Sequence, residues 1–444
     1  MITYHATVSE GRASARSFAP LLALALLASA FLASVLLAGC ANPQGTSSTS
    51  AAADATSSVA SADASSATST SDATSATAQA ALDNANIDYA ATFPSWQANS
   101  ASLHKLVDYV AAVTDPSGPD YVEPADRIAT FDMDGTIICE KAPYYVDWCF
   151  MLNRVLDNPS YNEPGYQPPE EDKAPCQELR DSINAGKTPT AEQVALKDRL
   201  TVSEFAGLTP EQYRADVLAF ATSNSAVGFE GMTYADSFYQ PMLEVIDYLK
   251  ANDFDVWMVS ACEREFVRGL VPSKFDISLD HIIATDVGMA STNQGDATAD
   301  TYNMEQSEEI VLTNSLGQET GKNAKSVAIM REIGKRPILA FGNSSGDYSM
   351  LNFAQGNPDH KGMGVLVLCD DTEREYGDLE RAAEQTAEAE KQGWTIFHMN
   401  DTDWATIYGE GVKKTVLPGA SEAEILVINQ DQQQEQEQEV AQAA

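Results

Sequence analysis

The pattern of apolar and polar positions predicts alternating strands and helices in the middle of the chain. Short apolar runs lie at 128–131, 256–259, 281–284, 337–341 and 365–368, and a further run at 394–397 is expected at a sheet edge. Apolar residues between them, and before the first run, recur at helical spacing. Strands that alternate with helices predict an α/β fold, a Rossmann-like parallel sheet with helices on both faces.

An insertion interrupts this alternation at residues 139–240, where the patterns are mostly helical. Thr190 with Gln193, and Thr209 with Gln212, have the spacing of capping boxes at helix starts. Residues 158–175 are expected to be a loop, and residues 286–324 a surface excursion such as a hairpin. We therefore predict a core of residues 83–138 and 241–427 that carries a helical cap, residues 139–240.

Polar motifs stand at the ends of the predicted strands. Residues 132–136, Asp-Met-Asp-Gly-Thr, follow the first run, Ser260 follows the second, and residues 342–347, Gly-Asn-Ser-Ser-Gly-Asp, follow the run at 337–341. Lys325 begins a helical pattern between the last two. Parallel sheets bind ligands beyond the carboxyl ends of their strands, and buried carboxylates need a cation or several hydrogen bonds. The motifs therefore predict one metal-assisted nucleophile site.

Each motif also has a purely structural interpretation. Asp-Gly is a common turn pair, Ser260 could cap a helix, and residues 343–347 could form a loop turn. Lys325 could be a solvated lysine at a helix end, and Lys322 is its rival for a place in the site. The shared placement of the motifs at strand ends favours the functional interpretation.

Taken in order, the four motifs resemble those of the haloacid dehalogenase-like (HAD) phosphohydrolases, from about Trp96 to Tyr408. A helical insertion just after the first motif resembles the phosphoserine-phosphatase-like branch. The chain departs from the pattern at Asn343, where many relatives have Asp. A neutral amide oxygen can still bind a hard cation, directly or through water, with one charge fewer.

The chemistry of the residues and the resemblance assign the same roles. Asp132 is the candidate nucleophile that forms an aspartyl-phosphate, and Asp134 is the candidate general acid and base. Ser260 would donate a hydrogen bond to a phosphoryl oxygen, and Lys325 would place a positive charge beside it. An oxygen-only ligand set suits Mg²⁺, and it would comprise Asp132, Asn343 and Asp347. The resemblance implies the backbone carbonyl of Asp134 as a further ligand.

Residues after the first motif are candidates for substrate binding. Glu140, Lys141 and Tyr144 are near enough to line the entrance, and so are Tyr145 and Trp148. Trp148 is expected to pack the first helix of the cap. The expected partner is a small phosphorylated metabolite, which no residue here identifies.

The charge of the chain excludes one class of substrate. With 27 basic and 65 acidic residues the formal net charge is −38. Such a surface repels polymeric nucleic acids, so no nucleic-acid partner is expected. A small phosphate ester remains a compatible substrate, because a cation and a lysine in the site attract it more strongly than the distant surface charges repel it.

The N-terminus resembles a bacterial lipoprotein signal. Arg12 and Arg16 precede an apolar run, which ends in Leu37-Ala38-Gly39-Cys40, the pattern of a lipobox. We predict a signal peptide at 1–39, a lipid on Cys40, a disordered tether at 40–82 and a disordered tail at 428–444. The protein would then lie on the extracytoplasmic face of the cell membrane. The alternative is an uncleaved transmembrane anchor.

Five further cysteines follow Cys40, without the spacing of a zinc site. An exported protein can form disulfides, and a Cys139–Cys262 bridge is one arrangement that the sequence allows.

Three functions are compatible with these motifs. The first is a Mg²⁺-dependent phosphomonoester hydrolase. The second is a lipoprotein that binds phosphate esters without turnover, which Asn343 in place of a carboxylate favours. The third is a phosphotransferase that uses an acceptor other than water.

Overall fold

The computed structural model describes residues 87–140, 144–417 and 419. The predicted signal peptide, tether and tail lie outside the described residues, and so do Cys40 and Lys141.

A central sheet organises the molecule. Its strands are β1 (Ile128–Phe131), β3 (Asp255–Glu263), β4 (Ile282–Thr285), β7 (Leu339–Gly342), β8 (Met363–Leu368) and β9 (Thr395–His398). All neighbours are parallel, in the order β4-β3-β1-β7-β8-β9. The predicted parallel α/β sheet is confirmed, and β9 lies at the expected edge.

Helices precede, connect and follow these strands. They are α1 (Tyr89–Thr92), α2 (Ala101–Thr114), α3 (Val146–Leu156), α4 (Glu170–Asn184), α5 (Ala191–Ser203), α6 (Pro210–Ser223), α7 (Gln240–Ala251), α8 (Arg264–Leu270), α9 (Asn323–Glu332), α10 (Tyr348–Gln355) and α11 (Leu379–Gln392). In the described part of the chain, none of them is long and apolar enough to cross a membrane.

The sheet is covered on both faces, because successive strand residues point in opposite directions. Phe341 belongs to a hydrophobic cluster with residues of α2, α7 and α8. Its neighbour Ala340 belongs to a second cluster, with residues of α9, α10 and α11. The buried faces of these helices therefore hold the strand ends in fixed positions.

Helices α3 to α6 form the predicted insertion. Trp148 in α3 packs with Leu179 of α4 and Leu200 of α5 in a core of the insertion's own. Phe150, on another side of α3, belongs instead to the large cluster under the sheet. Both predicted capping boxes are present, at Thr190 and Thr209.

The predicted loop at 158–175 is wrong at its end, since α4 begins at Glu170 and contains Pro175. Its first turn carries Glu170, Glu171 and Asp172. Carboxylates there interact favourably with the positive end of the helix dipole. These favourable charges explain why the helix begins at Glu170, although Pro175 suggested that the loop continues to that residue.

The excursion at 286–324 contains the expected antiparallel hairpin, β5 (Val287–Ser291) and β6 (Ile310–Leu316). It is more than a surface feature. Leu312 accepts a hydrogen bond from the backbone N–H of Gly207 at 2.9 Å and donates one to Leu208 at 2.8 Å. The hairpin therefore connects the loop between α5 and α6 to the core.

A second connection lies at the end of the insertion. There β2 (Phe229–Glu230) pairs antiparallel with β10 (Lys413–Lys414), near the end of the described chain. Backbone hydrogen bonds of the hairpin and of this strand pair both join the cap to the core.

Candidate active site

The predicted motifs meet at the carboxyl edge of the sheet. Asp132 follows β1, Asp347 immediately precedes α10, and Lys325 lies in the first turn of α9. The Lys325 ammonium donates hydrogen bonds to Asp132 Oδ1 and, at 2.7 Å, to Asp347 Oδ1. All three residues are buried. The fold therefore joins residues that are up to 215 positions apart, since 347 − 132 = 215.

The charges of Asp132, Lys325 and Asp347 shift the pKa values of Asp132 and Lys325. Burial and the neighbouring Asp347 raise the pKa of the Asp132 carboxyl, while Lys325 opposes that rise. Burial alone would lower the pKa of Lys325, but Asp132 and Asp347 raise it above its usual value. Lys325 therefore remains charged and neutralises one of two adjacent carboxylates.

The other oxygen of Asp347 organises the loop that precedes α10. Oδ2 accepts hydrogen bonds from the backbone N–H groups of Asn343 and Ser344, at 3.0 and 2.9 Å, and from the Ser344 hydroxyl at 3.2 Å. Both oxygens of Asp347 are thus engaged by donors of the protein. Asp347 therefore positions Lys325 and the loop, and its role as a metal ligand stays a prediction.

Asn343 packs against the turn of the first motif. Gly135 has φ +74°, and a Cβ there would lie 1.9 Å from Asn343 Nδ2. Only glycine satisfies both the backbone conformation and the space. The Asn343 amide therefore lies directly beside the turn that contains Asp134.

The oxygen donors fit a hard cation. Asp132 Oδ2 has a contact from the Thr136 hydroxyl at 3.3 Å, and the buried Asn343 Nδ2 has no hydrogen-bond partner. Rotating the Asn343 amide exchanges its nitrogen and oxygen. The amide oxygen then occupies the position of Nδ2, beside the turn at Gly135, where it can bind a cation. In the described part of the chain, no three His, Cys, Asp or Glu side chains form a metal-binding group. Mg²⁺ suits such a site, because it commonly uses one or two carboxylates with water and substrate phosphate.

Asp134 faces the cavity beside this group. Its Oδ2 accepts a hydrogen bond from Cys262 Sγ at 3.0 Å, and its buried Oδ1 has no partner. Burial, followed by the negative charge of Asp147, raises the pKa of Asp134 well above its usual value. A carboxyl that keeps its proton can act as a general acid. Cys262 is not joined to Cys139 by a disulfide.

Ser260 lies inside β3, not after it, and is buried. Its hydroxyl accepts a hydrogen bond from the Cys262 N–H at 3.1 Å. The residues of β3 that line the cavity are the next three, beginning at Ala261. Ser260 itself does not line the cavity, and its contact with a phosphoryl group stays a prediction.

The alternative role of Ser260 as a helix cap is wrong. Glu263 caps α8 by accepting hydrogen bonds from the N–H groups of Glu265 and Phe266, at 2.8 and 2.7 Å. The strand continues for three residues beyond Ser260 because the cap belongs to this later carboxylate.

The sequence also matches a known family. A model described as haloacid dehalogenase-like hydrolase matches residues 129–352, half of the 444 residues. The chain belongs to the haloacid dehalogenase-like hydrolases. The match spans all four motifs and the insertion. No curated protein matches the chain.

Solved structures offer distant likenesses to this hydrolase. A conserved functionally unknown protein from Anaerococcus prevotii is 12% identical, with a TM-score of 0.41 over 67% of this chain and 91% of its own. Cytosolic 5'-nucleotidase IIIB bound to cytidine is 11% identical, with a TM-score of 0.37 over 68% and 86%. A phosphoserine phosphohydrolase-like protein from Francisella tularensis is 13% identical, with a TM-score of 0.28 over 55% and 87%. Likenesses this distant say nothing about a substrate.

A cavity of about 400 Å³ lies over these groups in the hydrolase. Its floor, on the core side, is formed by Asp132, Lys325, Asn343 and Asp347. Its cap wall is formed by Tyr145, Asp147, Trp148 and Lys197. This volume is in the range that encloses small metabolites.

The predicted substrate-binding residues are placed differently from one another. Glu140 lines the cavity, but its carboxylate is held by Arg381 through two hydrogen bonds of 3.0 and 3.2 Å. Tyr144 does not line the cavity, and packs edge-on against Tyr145 and Trp148 at 4.6 and 4.9 Å between ring centroids. Trp148 both packs in the cap, as expected, and lines the cavity.

The sequence analysis missed the ion pair of the cap wall. Asp147 in α3 and Lys197 in α5 lie 2.9 Å apart, and Asp147 Oδ1 is buried without a partner. Neither residue belongs to a motif, and no local pattern relates two helices separated by a third. Only the packing of the cap brings them together.

Proposed function

We propose that the protein is a Mg²⁺-dependent phosphomonoester hydrolase that acts on a small phosphorylated metabolite through an aspartyl-phosphate on Asp132. The observation that carries this proposal is the buried contact of Lys325 with both Asp132 and Asp347 under a cavity of metabolite size. It combines a carboxylate nucleophile with a fixed positive charge, which phosphoryl transfer requires.

The first half of the proposed reaction transfers the phosphoryl group to Asp132. A carboxylate oxygen of Asp132 attacks phosphorus, and the bond from phosphorus to the leaving oxygen breaks. Asp134 donates its proton to that oxygen, so that the alcohol leaves neutral. Lys325 balances negative charge near the nucleophile.

Water completes the reaction. Asp134, now ionised, accepts a proton from the water that attacks phosphorus, and the bond to Asp132 breaks to release phosphate. Asp132, the Asp134 backbone carbonyl, Asn343 and Asp347 would hold Mg²⁺, which would supply positive charge to the phosphoryl oxygens.

We also propose that the protein acts outside the cytoplasm, anchored by a lipid on Cys40. The support is the sequence of residues 12–40, with its charged start, apolar run and terminal cysteine. Incorporation of labelled palmitate that persists in Cys40→Ser would contradict the anchor.

A phosphate-ester-binding lipoprotein without turnover is the second candidate. It is favoured by Asn343, which stands where many relatives have a carboxylate. In that case the same cavity would bind phosphate and release it unchanged.

The test uses the full-length protein with a generic phosphomonoester and Mg²⁺. Asp132→Asn should reduce the rate roughly 10⁴-fold or more, because the nucleophile is removed. Asp108→Asn, exposed on α2, is the matched control and should retain full activity.

Three results would change the assignment. Equal activity in Asp132→Asn contradicts the mechanism. Tight binding of inorganic phosphate without turnover favours the second candidate. New phosphate esters formed from added alcohols would show phosphotransfer.

A further inference from the structure

Lys322 adopts a backbone conformation that favours glycine. It immediately precedes α9 with φ 53° and ψ −127°. Of the non-glycine residues that the structure describes, Asp253 is the only other one with positive φ, at 59°. The Cβ of a lysine is strained in this conformation, and such strain persists only where the surroundings enforce it.

Hydrogen bonds on both sides enforce this conformation. The N–H of Lys322 donates to the carbonyl of Gly346 at 2.8 Å, and its own carbonyl accepts from the N–H of Lys325 at 3.2 Å. The turn closes with a third bond, from Ala324 N–H to the Gly321 carbonyl at 3.0 Å. Lys322 is thus tied to the loop of Asp347 and to the helix of Lys325.

The side chain of Lys322 differs in its partners from the other lysines of the cavity. Lys197, Lys322 and Lys325 all line it. Lys197 is paired with Asp147, and Lys325 with two carboxylates. Among the ion pairs of the described residues, Lys322 has none, and it is exposed. Its charge is therefore available to a ligand.

We propose that Lys322 is a substrate-binding residue whose ammonium holds an anionic oxygen of the ligand at the cavity rim. Naming that ligand a phosphate ester rests on the function proposed above. Lys325 is paired with Asp132 and Asp347, and Lys197 with Asp147. Lys322 forms no ion pair among the described residues, not even with Glu319 of the same cavity, so its ammonium can bind an incoming phosphate. A side chain with this task explains why a lysine stands where glycine would be unstrained.

The experiment measures stability and ligand binding in the same variants of the full-length protein. Lys322→Gly relieves the strain and removes the charge, so its Tm should rise by about 1–2 °C. Its affinity for inorganic phosphate, measured by calorimetry with Mg²⁺ present, should fall about tenfold. Lys322→Arg should keep the affinity within about twofold and show no rise in Tm.

Two controls separate strain from charge. Asp253→Gly changes the other residue with positive φ, away from the residues that line the cavity, and also removes its 3.6 Å ion pair with Arg127. Its phosphate affinity should therefore equal that of wild type, whatever its Tm. Lys105→Met removes an exposed positive charge on α2 and should change neither.

A second ligand, an ester that carries a carboxylate besides its phosphate, locates the contact. A loss of affinity for both ligands places Lys322 on the phosphoryl group, whereas a loss confined to the ester places it on the second anion. Wild-type affinity for both in Lys322→Gly overturns the proposal. If the protein binds phosphate through Lys322 but never turns over an ester, the hydrolase assignment fails while this inference stands.

Discussion

The floor and the cap wall of the cavity both contain a lysine paired with acid, but they are built differently. On the floor, the ammonium of Lys325 forms ion pairs with two carboxylates, Asp132 and Asp347. These two residues lie in the loops that follow β1 and β7. On the cap wall, Lys197 forms its one ion pair among the described residues with Asp147. Its Nζ lies over the ring of Trp148, 5.6 Å from the ring centroid. The floor therefore carries an excess of negative charge, which suits a cation and a reacting phosphoryl group.

The cap wall, in contrast, presents the Asp147–Lys197 ion pair, aromatic rings and the exposed carboxylate of Asp198, with one carboxylate oxygen of Asp147 left as an acceptor. Such a surface suits recognition of a leaving group. We infer that the rate constant of the reaction depends on the floor, and substrate affinity on the cap wall.

Removing the cation of the floor should have the largest effect. In Lys325→Met two buried carboxylates lose their common partner, so the free energy of unfolding should fall by about 3–5 kcal/mol. Hydrolysis should fall about 10³-fold or more. Urea denaturation and initial rates measure the two effects. Lys105→Met is the control, and stability within about 0.5 kcal/mol of wild type would refute the described role of Lys325.

Removing the cation of the cap wall should have a smaller and different effect. Lys197→Met leaves one carboxylate, at 8% exposure, without its partner. The free energy of unfolding should fall by about 1–3 kcal/mol, and KM should rise about tenfold with kcat changed less than about threefold. Steady-state kinetics with several phosphate esters measure both constants.

The matched control for that variant is Lys173→Met on α4, which removes an exposed ion pair of the same cap. If kcat fell as far in Lys197→Met as in Lys325→Met, the distinction between the floor and the cap wall would be refuted.

Glu375 shows how a buried carboxylate behaves when, among the ion pairs of the described residues, it has none, and Lys414 has only a small effect on its pKa. Its oxygens accept hydrogen bonds from the Tyr408 hydroxyl, the Tyr376 N–H at 2.7 Å and Cys139 Sγ at 3.7 Å. Burial raises its pKa to about 7. The folded state therefore binds the proton more tightly than the unfolded state, and this stabilisation is complete below the unfolded pKa and lost as the pH rises through about 7.

We expect Glu375→Gln to remove about 1–3 kcal/mol of the stability difference between pH 5 and pH 8. Denaturation of both proteins at the two pH values measures it, and Glu178→Gln, exposed on α4, is the control. An unchanged pH dependence would show that Glu375 titrates in its usual range.

Local patterns predicted most of the fold. Strand alternation, the two capping boxes and the edge strand depend on neighbouring residues, and all were found as expected. The start of α4 was missed because the favourable charges of its first turn outweigh Pro175. The end of β3 was missed because Glu263, not Ser260, caps the next helix.

The sequence by itself determined the order of the motifs and their place at strand ends, because hydrophobic periodicity and turn residues act over a few positions. Only the tertiary structure decided which side chains meet. It placed Lys325 between Asp132 and Asp347, and it supplied hydrogen-bond donors to both oxygens of Asp347. It also placed Ser260 inside β3, where its hydroxyl accepts a hydrogen bond from Cys262, and it paired Asp147 with Lys197. These contacts depend on the register of parallel strands and the packing of separate helices, which no local pattern specifies.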